Sequence, residues 1–396
     1  MAQATARAPA PVSRRPAIGV PFLGLLDAVL VETPAGFTFS GAVARDEAEA
    51  AWLWVLRDLA PDLIDGDTVG QGGADRAALE ALLPEVLKRA RKSLADAQTS
   101  VEIGRRIRTQ LGGDEAWERL PTVLTALRCR TLLDKAGSFG RAANGMADEA
   151  ALALALQSMP LQDAAVTALL MQAMVGQVAS PARLVAAAIR IAGGASEGAL
   201  QRAGFSPLID AILAHAQNQI PALDQTGTFA DMDLVCRAVD RFHRLQRAVS
   251  GYVELSRGGR WASVAAALTK AASERLDPKL RDVAPDLNKA LRRRDGADRV
   301  DGDQILSALN GIYLLATVRD SRDSLAVNAL FDQVWTQTGQ ALEIHIERQL
   351  EALRRSPADA VTAARLDAAL KMAELRFSPD YAETMRRARD VALRRG

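Results

Sequence analysis

The chain has 396 residues, and its 49 basic and 48 acidic side chains give a formal net charge of +1. This balance excludes a global field that draws the whole protein to nucleic acid or membrane, so any anion binding must be local. Two cysteines, Cys129 and Cys236, are too few for a disulfide scaffold and favour a reducing, cytoplasmic compartment.

The longest apolar stretch, residues 18–31, is too short to span a bilayer, which needs about 20 apolar residues. No membrane span is therefore expected. The preceding Ser13-Arg14-Arg15 leaves twin-arginine export as an alternative to the cytoplasm, although Asp27 interrupts the apolar region that such a signal needs.

The first elements along the chain are a tail and a hairpin. Residues 1–17 are rich in Ala, Pro and Arg without apolar periodicity, which predicts a disordered tail. The apolar run 28–31, the turn residues 33–36 and the alternating run 37–40 predict a small N-terminal β-hairpin.

The rest of the chain is predicted to be helical. Apolar residues make up 49% of the sequence but aromatic residues only 4%, so the core must be built from Ala, Leu and Val, which favours helices. A Ser or Asp followed by Pro suits the start of a helix, because the side chain caps it and proline fits its first position. This pair occurs at Ser180-Pro181, Ser206-Pro207, Asp277-Pro278, Ser356-Pro357 and Ser378-Pro379.

The predicted fold class is all-α, either a multi-helix bundle or a short α-solenoid-like array carrying the hairpin. Helices are expected near 43–60, 75–96, 98–111, 114–136, 147–158, 161–178, 181–192, 195–203, 207–219, 230–255, 260–275, 279–294, 302–319, 322–354, 358–376 and 379–394. The best predicted breaks are the glycine-rich stretch 137–145 and the polar stretch 224–228, with Gly258-Gly259 as a third. The two glycine-containing breaks divide the body into helical regions at 18–140, 146–257 and 260–396.

One segment resembles a single armadillo-type repeat, the helical unit of α-solenoid adaptor proteins. An Ala-rich helix near 186–192 and a short helix near 200–203 are followed by Ala203-Gly204, then Pro207 and an apolar helix to Leu213. The resemblance covers residues 186–213, and no neighbouring copy has the same spacing. It implies a protein-binding surface of stacked helices without a cofactor.

The most distinctive surface pattern lies on the helix predicted near 230–255. Arg237, Arg241, Arg244 and Arg247 recur at spacings of four and three residues, so they share one face opposite an apolar stripe. This face is a candidate surface for an anionic partner. Further basic runs, Arg292-Arg293-Arg294 and the C-terminal arginines, sit at helix ends, where the macrodipole favours positive charge.

An acidic set supports an alternative enzyme hypothesis. Asp320, Asp323 and Asp332 are the candidates for a Mg²⁺ and diphosphate site of the kind used by all-α isoprenoid enzymes, although the helical series ends in the amide Gln340. The three histidines, among them His345, lack metal-ligand spacing and are interpreted as partly buried with local hydrogen bonds.

No catalytic signature or phosphate loop is recognised, so no catalytic, cofactor or metal residue is assigned. The sequence favours a protein–protein interaction scaffold, adaptor or regulatory subunit, with a protein partner or a second copy of the chain. The alternatives are the Mg²⁺-dependent enzyme and a nucleic-acid-binding protein that uses its basic helix faces.

Overall fold

The computed structural model describes residues 20–32, 37–64, 76–159, 163–225, 231–292 and 299–394. Across these ranges it contains sixteen α-helices and one two-stranded sheet, which confirms the predicted all-α class with a small N-terminal β element. The predicted tail 1–17 and turn 33–36 lie outside the described residues. No helix within the ranges given is long and apolar enough to cross a membrane.

The helices are numbered here in chain order. They are α1 (Val20–Gly24), α2 (Arg45–Trp54), α3 (Arg76–Thr99), α4 (Val101–Leu111), α5 (Asp114–Ala143), α6 (Glu149–Gln157), α7 (Ala164–Val175), α8 (Pro181–Ala192), α9 (Glu197–Arg202), α10 (Ser206–Gln217), α11 (Met232–Ser250), α12 (Arg260–Leu291), α13 (Gly302–Ser321), α14 (Asn328–Arg355), α15 (Ala360–Arg376) and α16 (Pro379–Leu393). A π-helical turn (Val55–Leu59) follows α2, and 3₁₀ turns occupy Ile220–Asp224 and Arg322–Ser324.

The two strands pair differently from the predicted hairpin. Strand β1 (Leu30–Val31) pairs in parallel with β2 (Val43–Ala44), so the run 37–40 does not supply the second strand. The physical reason is that this run has other partners: the carbonyl oxygen of Thr38 accepts a hydrogen bond from Arg260 Nη2 at 2.6 Å. The chain therefore crosses over before Val43 joins β1 in register.

The described residues form two compact units. The first contains residues 20–32, 40–64, 76–138 and 163–174, and the second contains 37–39, 139–159, 175–225, 231–292 and 299–394. This division differs from the sequence-based one, because both sides of Gly258-Gly259 lie in the second unit. The segment before these glycines is held by hydrogen bonds, from Glu254 N to Ala195 O at 2.9 Å and from Ser256 N to Glu197 Oε1 at 3.0 Å.

The first unit has an aromatic centre. Phe22 and Trp52 stack with ring centroids 4.6 Å apart, and both side chains are fully buried. At its edge, Glu47 closes the start of α2 by accepting from the amide of Ala44 at 3.0 Å, and it pairs with Arg119 at 3.4 Å. Burial raises the pKa of Glu47, and the hydrogen bond from Ala44 and the charge of Arg119 oppose that rise.

The second unit is organised around helix α10, which is buried along almost its whole length. Its one acidic residue, Asp210, accepts hydrogen bonds from Arg260 Nη1 at 2.5 Å and from Trp261 Nε1 at 2.9 Å. Because a buried carboxylate is costly without partners, these contacts join α10 firmly to the start of α12.

Two predicted helix boundaries were wrong. The structure has a single helix from Arg260 to Leu291, although a new helix was expected at Asp277-Pro278. Pro278 and Pro285 both face solvent, where water can satisfy the carbonyl groups that lose their hydrogen bonds. The buried stripe of Leu276, Leu280 and Leu287 continues past them.

Helix α5 also continues beyond its predicted end, to Ala143, through most of the predicted glycine-rich break. Ala136 and Ala143 are buried on the packed side of this helix.

The other Ser-Pro pairs mark helix starts with varying accuracy. Helix α8 begins at Pro181, and α16 begins at Pro379 with the Ser378 hydroxyl accepting from Tyr381 N at 3.1 Å. Helix α10 begins at Ser206 itself. Helix α15 begins at Ala360, after Ser356-Pro357, because Asp359 caps it instead.

The segment that resembles an armadillo repeat forms α8, α9 and α10. Gly204 adopts a left-handed φ of 80° between α9 and α10, and the amide of Phe205 donates to Leu200 O at 2.9 Å. This is the turn that glycine makes at helix ends. Membership of a repeat family stays a prediction, because the same turn closes many unrelated helix pairs.

We predict that Gly41→Ala strongly destabilises the first unit. A Cβ atom at position 41 lies only 2.0 Å from the carbonyl oxygen of Ala168, so helix α7 must shift to admit it. We expect a loss of about 3 kcal/mol in the free energy of unfolding, measured by urea denaturation. Gly24→Ala is the matched control, because nothing lies within 4 Å of its added Cβ, and it should change stability by less than about 1 kcal/mol. Equal stability of the two variants would contradict the close approach.

Candidate functional site: a basic groove in the second unit

The predicted arginine face of α11 does not form one uniform cationic surface. Arg237 forms an ion pair with Asp233 at 3.0 Å, and Arg244 pairs with Asp240, each across one helical turn. Their charges are therefore largely neutralised on the helix itself. Arg247 is exposed and has no described carboxylate within 4 Å.

Arg241 has a structural role. Its guanidinium donates to the carbonyl oxygens of Val178 at 2.6 Å and Val175 at 2.9 Å, in the segment where helix α7 ends. Helix C-terminal carbonyls lack partners within the helix, and an arginine can satisfy several of them. Burial lowers the pKa of Arg241, and the nearby charge of Arg244 adds to that effect.

The predicted acidic set is not assembled into a metal site. Asp320 pairs with Arg319 at 2.8 Å, and Asp332 lies 3.6 Å from Arg322. Asp323 is exposed. Among the residues that the structure describes, no three His, Cys, Asp or Glu side chains are placed to hold one metal ion.

The structure does reveal an open groove between α12, α14 and the start of α15, which we call the α14 groove. Its outer section has a volume of about 810 Å³ and is lined by Ala284, Pro285, Asn288, Arg292, Gln337, Gln340, Ala341, Ile344, His345 and Arg348. Its inner section is more enclosed, has a volume of about 340 Å³, and is lined by Leu291, Arg292, His345, Arg348, Gln349, Ala352, Thr362 and Arg365. Arg292, His345 and Arg348 line both sections.

Helical spacing explains how these residues share one groove. On α14 the lining residues Gln337, Ala341, Ile344, Arg348 and Ala352 recur every three or four positions, which places them on one face. The opposite stripe of α14, with Leu342, Ile346 and Leu353, is buried in the unit. The groove thus lies along the side of α14 that does not pack in the core, and the packing of the opposite apolar side keeps the helix in place.

The groove is rich in positive charge. Arg292, Arg348, Arg365 and His345 line it, and no carboxylate does so within the described residues. Neither Arg292 nor Arg348 has a described carboxylate within 4 Å, whereas Arg281 and Arg355 on the same two helices pair with Asp277 and Glu351. Within the described part of the chain, no carboxylate therefore compensates the charges of Arg292 and Arg348.

His345 is held in a defined orientation. Its Nε2 lies 3.1 Å from Asn288 Oδ1, while Asn288 Nδ2 donates to Ala284 O at 2.9 Å. The amide oxygen must therefore accept, and His345 Nε2 carries the proton. Burial and then the charge of Arg348 lower the pKa of His345 below its usual value.

Arg376, on helix α15, has a structural role. Arg376, which is buried, lies with its guanidinium 3.5 Å from the ring centroid of Trp335, and it donates to Thr338 Oγ1 at 3.3 Å and to Trp335 O. Burial lowers its pKa to about 10. These contacts join the end of α15 to α14 and leave little of the guanidinium open to a ligand.

The groove was not predicted from the sequence, although two of its lining residues were noticed there. Arg292 was attributed to a helix terminus and His345 to a partly buried site with a local hydrogen bond, which its contact with Asn288 matches. Arg348 and Arg365 were not singled out. The spacing of Gln337, Gln340 and Arg348 along α14 could have indicated a helix side outside the core. The sequence spacing could not show which other helices lie beside it.

We predict that Arg241→Gln destabilises the protein while Arg237→Gln does not. The first substitution leaves the carbonyls of Val175 and Val178 without their cationic donor, at a cost of about 1–3 kcal/mol. The second removes only an exposed ion pair, which contributes at most about 0.5 kcal/mol. Urea denaturation measures both, and equal stabilities would contradict the structural role of Arg241.

Comparison with known proteins identifies no relative. No protein-family model matches the chain, and no curated protein or solved structure shows significant similarity to it. The α14 groove is therefore the feature of the chain from which a function is inferred.

Proposed function

We propose that this protein is a non-catalytic interaction protein, a scaffold, adaptor or regulatory subunit, and that the α14 groove binds an acidic segment of a partner protein. The observation that supports this proposal is that Arg292 and Arg348, which have no carboxylate partner among the described residues, line one groove in a chain whose formal net charge is only +1. Such a local patch selects an acidic ligand without attracting polyanions to the rest of the surface.

The dimensions of the groove suit a polypeptide segment. From Gln337 to Ala352 its α14 wall is about 22 Å long, at a rise of ~1.5 Å per residue. An extended chain advances about 3.3 Å per residue, so roughly seven residues fit along this wall. The outer section is open to solvent over its length, which allows a segment of a larger protein to enter sideways.

The chemistry of the lining also suits a peptide. Gln337 and Gln340 offer both donors and acceptors for the backbone of an extended segment. Ile344 is 45% exposed and provides an apolar contact in the middle of the groove. Arg292 and Arg348, which line both sections of the groove, can pair with acidic side chains of such a segment.

We expect a short fluorescein-labelled oligoglutamate peptide to bind, with fluorescence anisotropy as the measurement. Arg348→Gln should weaken its affinity about threefold to tenfold, because one exposed charge contact is lost. Arg247→Gln is the matched control, since Arg247 is also an exposed, uncompensated arginine of the second unit but lies on α11. An equal loss in both variants, or no binding to the native protein, would count against the proposal. Tighter binding of an RNA oligonucleotide, lost steeply with salt, would favour nucleic acid instead.

A further inference from the structure

We propose that the inner section of the α14 groove holds a tyrosine side chain of the partner's acidic segment, with the phenolic hydroxyl donating a hydrogen bond to Oε1 of Gln349. This inference rests on the proposed function, because it specifies the anchor residue of the segment that the same groove binds. Such an anchor gives the groove a specificity that positive charge alone does not supply.

Gln349 carries a buried acceptor that the described residues leave unused. The residue lines the inner section and is only 8% exposed. Its Nε2 donates to the carbonyl oxygen of Leu291 at 3.2 Å, while Oε1 accepts no hydrogen bond from the described part of the chain. The terminal torsion of a glutamine is broad, so a small rotation of the amide presents Oε1 to a donor in the inner section. Because a buried acceptor without a donor is unfavourable, a ligand that brings a donor is stabilised there.

The other uncharged polar groups of the inner section also leave acceptors. The hydroxyl of Thr362 donates to Asp359 Oδ2 at 2.7 Å, which uses its hydrogen and leaves its oxygen as an acceptor. His345 donates through Nε2 to Asn288 Oδ1, so Nδ1 of the neutral ring is an acceptor as well. These groups favour a hydrogen-bond donor in the inner section over an anionic group.

The charges of the groove determine which kind of donor is suitable. Arg292 and Arg348 are exposed and line both sections, so they repel a cationic donor such as a lysine ammonium and attract acidic residues beside the anchor. Arg365 also lines the inner section, but it already interacts with another group of the protein. The suitable donor is therefore uncharged and flanked by carboxylates.

The size and the apolar walls of the inner section favour an aromatic ring. Its volume of about 340 Å³ falls within the range of ~300–1,000 Å³ typical of small-ligand pockets, and it exceeds what a serine hydroxyl would fill. Leu291, which is 1% exposed, and Ala352 supply apolar walls. A tyrosine side chain buries a large apolar surface and carries at its far end a hydroxyl that finds a partner when it is buried. Tyrosine therefore matches both the volume and the acceptor.

The experiment compares three fluorescein-labelled peptides by fluorescence anisotropy: oligoglutamate, and the same sequence with a central tyrosine or a central phenylalanine. We expect the tyrosine peptide to bind about tenfold more tightly than oligoglutamate, because its ring fills the inner section. It should also bind roughly fivefold more tightly than the phenylalanine peptide, because only the hydroxyl satisfies Oε1 of Gln349.

Two variants test the site within the full chain. Gln349→Met removes Oε1 and keeps a side chain of similar length, so it should bind the tyrosine and phenylalanine peptides equally, while the control Gln340→Met in the outer section preserves the preference. This preference is a ratio measured within each variant, so partial loss of folded protein does not imitate the result. Ala352→Leu leaves Gln349 in place and narrows the inner section, so it should remove the gain of both aromatic peptides while oligoglutamate still binds.

The outcomes separate this inference from the proposed function. Equal affinities of the tyrosine and phenylalanine peptides for the native protein, or a tyrosine preference that persists in Gln349→Met, overturn the tyrosine site. If oligoglutamate binds as tightly as the tyrosine peptide, the tyrosine site is overturned and the acidic-segment proposal stands. If none of the three peptides binds, both are overturned.

Discussion

Helix α12 is the element on which the second unit depends. At its first turn, Arg260 and Trp261 satisfy the buried carboxylate of Asp210 on the central helix α10. About 45 Å further along, at ~1.5 Å per residue, its last turns supply Asn288 and Leu291 to the α14 groove. The same helix therefore connects the buried carboxylate of Asp210 to the open α14 groove.

Two groups of arginines in this protein differ in what their guanidinium groups contact. Arg119, Arg241 and Arg376 donate to backbone carbonyls of other segments, so their guanidinium groups join those segments to their own helices. Arg292 and Arg348 line an open groove and have no carboxylate partner among the described residues. Arg292 and Arg348 keep their charges available to a ligand and line the same groove, whereas on the α11 face only Arg247 does so among the four predicted arginines. The groove is therefore the better candidate site.

Sequence patterns predicted the helical class and many helix starts because those depend on local chemistry. The apolar stripe of α14, with Phe331, Leu342 and Leu353, and the cap at Ser378 follow from residues only a few positions apart. Local rules failed at Pro278, because burial of Leu276 and Leu280 outweighs the lost hydrogen bond where the proline faces water. They also failed for strand pairing: β1 pairs with Val43–Ala44, while the run 37–40 has a contact with the distant residue Arg260.

The candidate site was less predictable than the fold for the same reason. The spacing of Arg237, Arg241, Arg244 and Arg247 showed a shared helix face, but not that Asp233 and Asp240 neutralise two of them or that helix α7 ends against a third. Conversely, Arg292, Arg348 and Arg365 are far apart in sequence and meet only because α12, α14 and α15 pack together. Which residues meet in this way depends on the tertiary packing of the helices, so it could not be predicted from local sequence patterns.

The most direct test of the groove as the partner surface is photo-crosslinking in a lysate of the source cells. A photo-reactive phenylalanine analogue is placed at Ile344 in the groove or at Tyr252, and these two side chains are similarly exposed, at 45% and 48%. We expect a protein to be captured from position 344 only, and excess oligoglutamate to abolish the capture. Equal capture from position 252, or capture at 344 that oligoglutamate does not affect, would contradict the account.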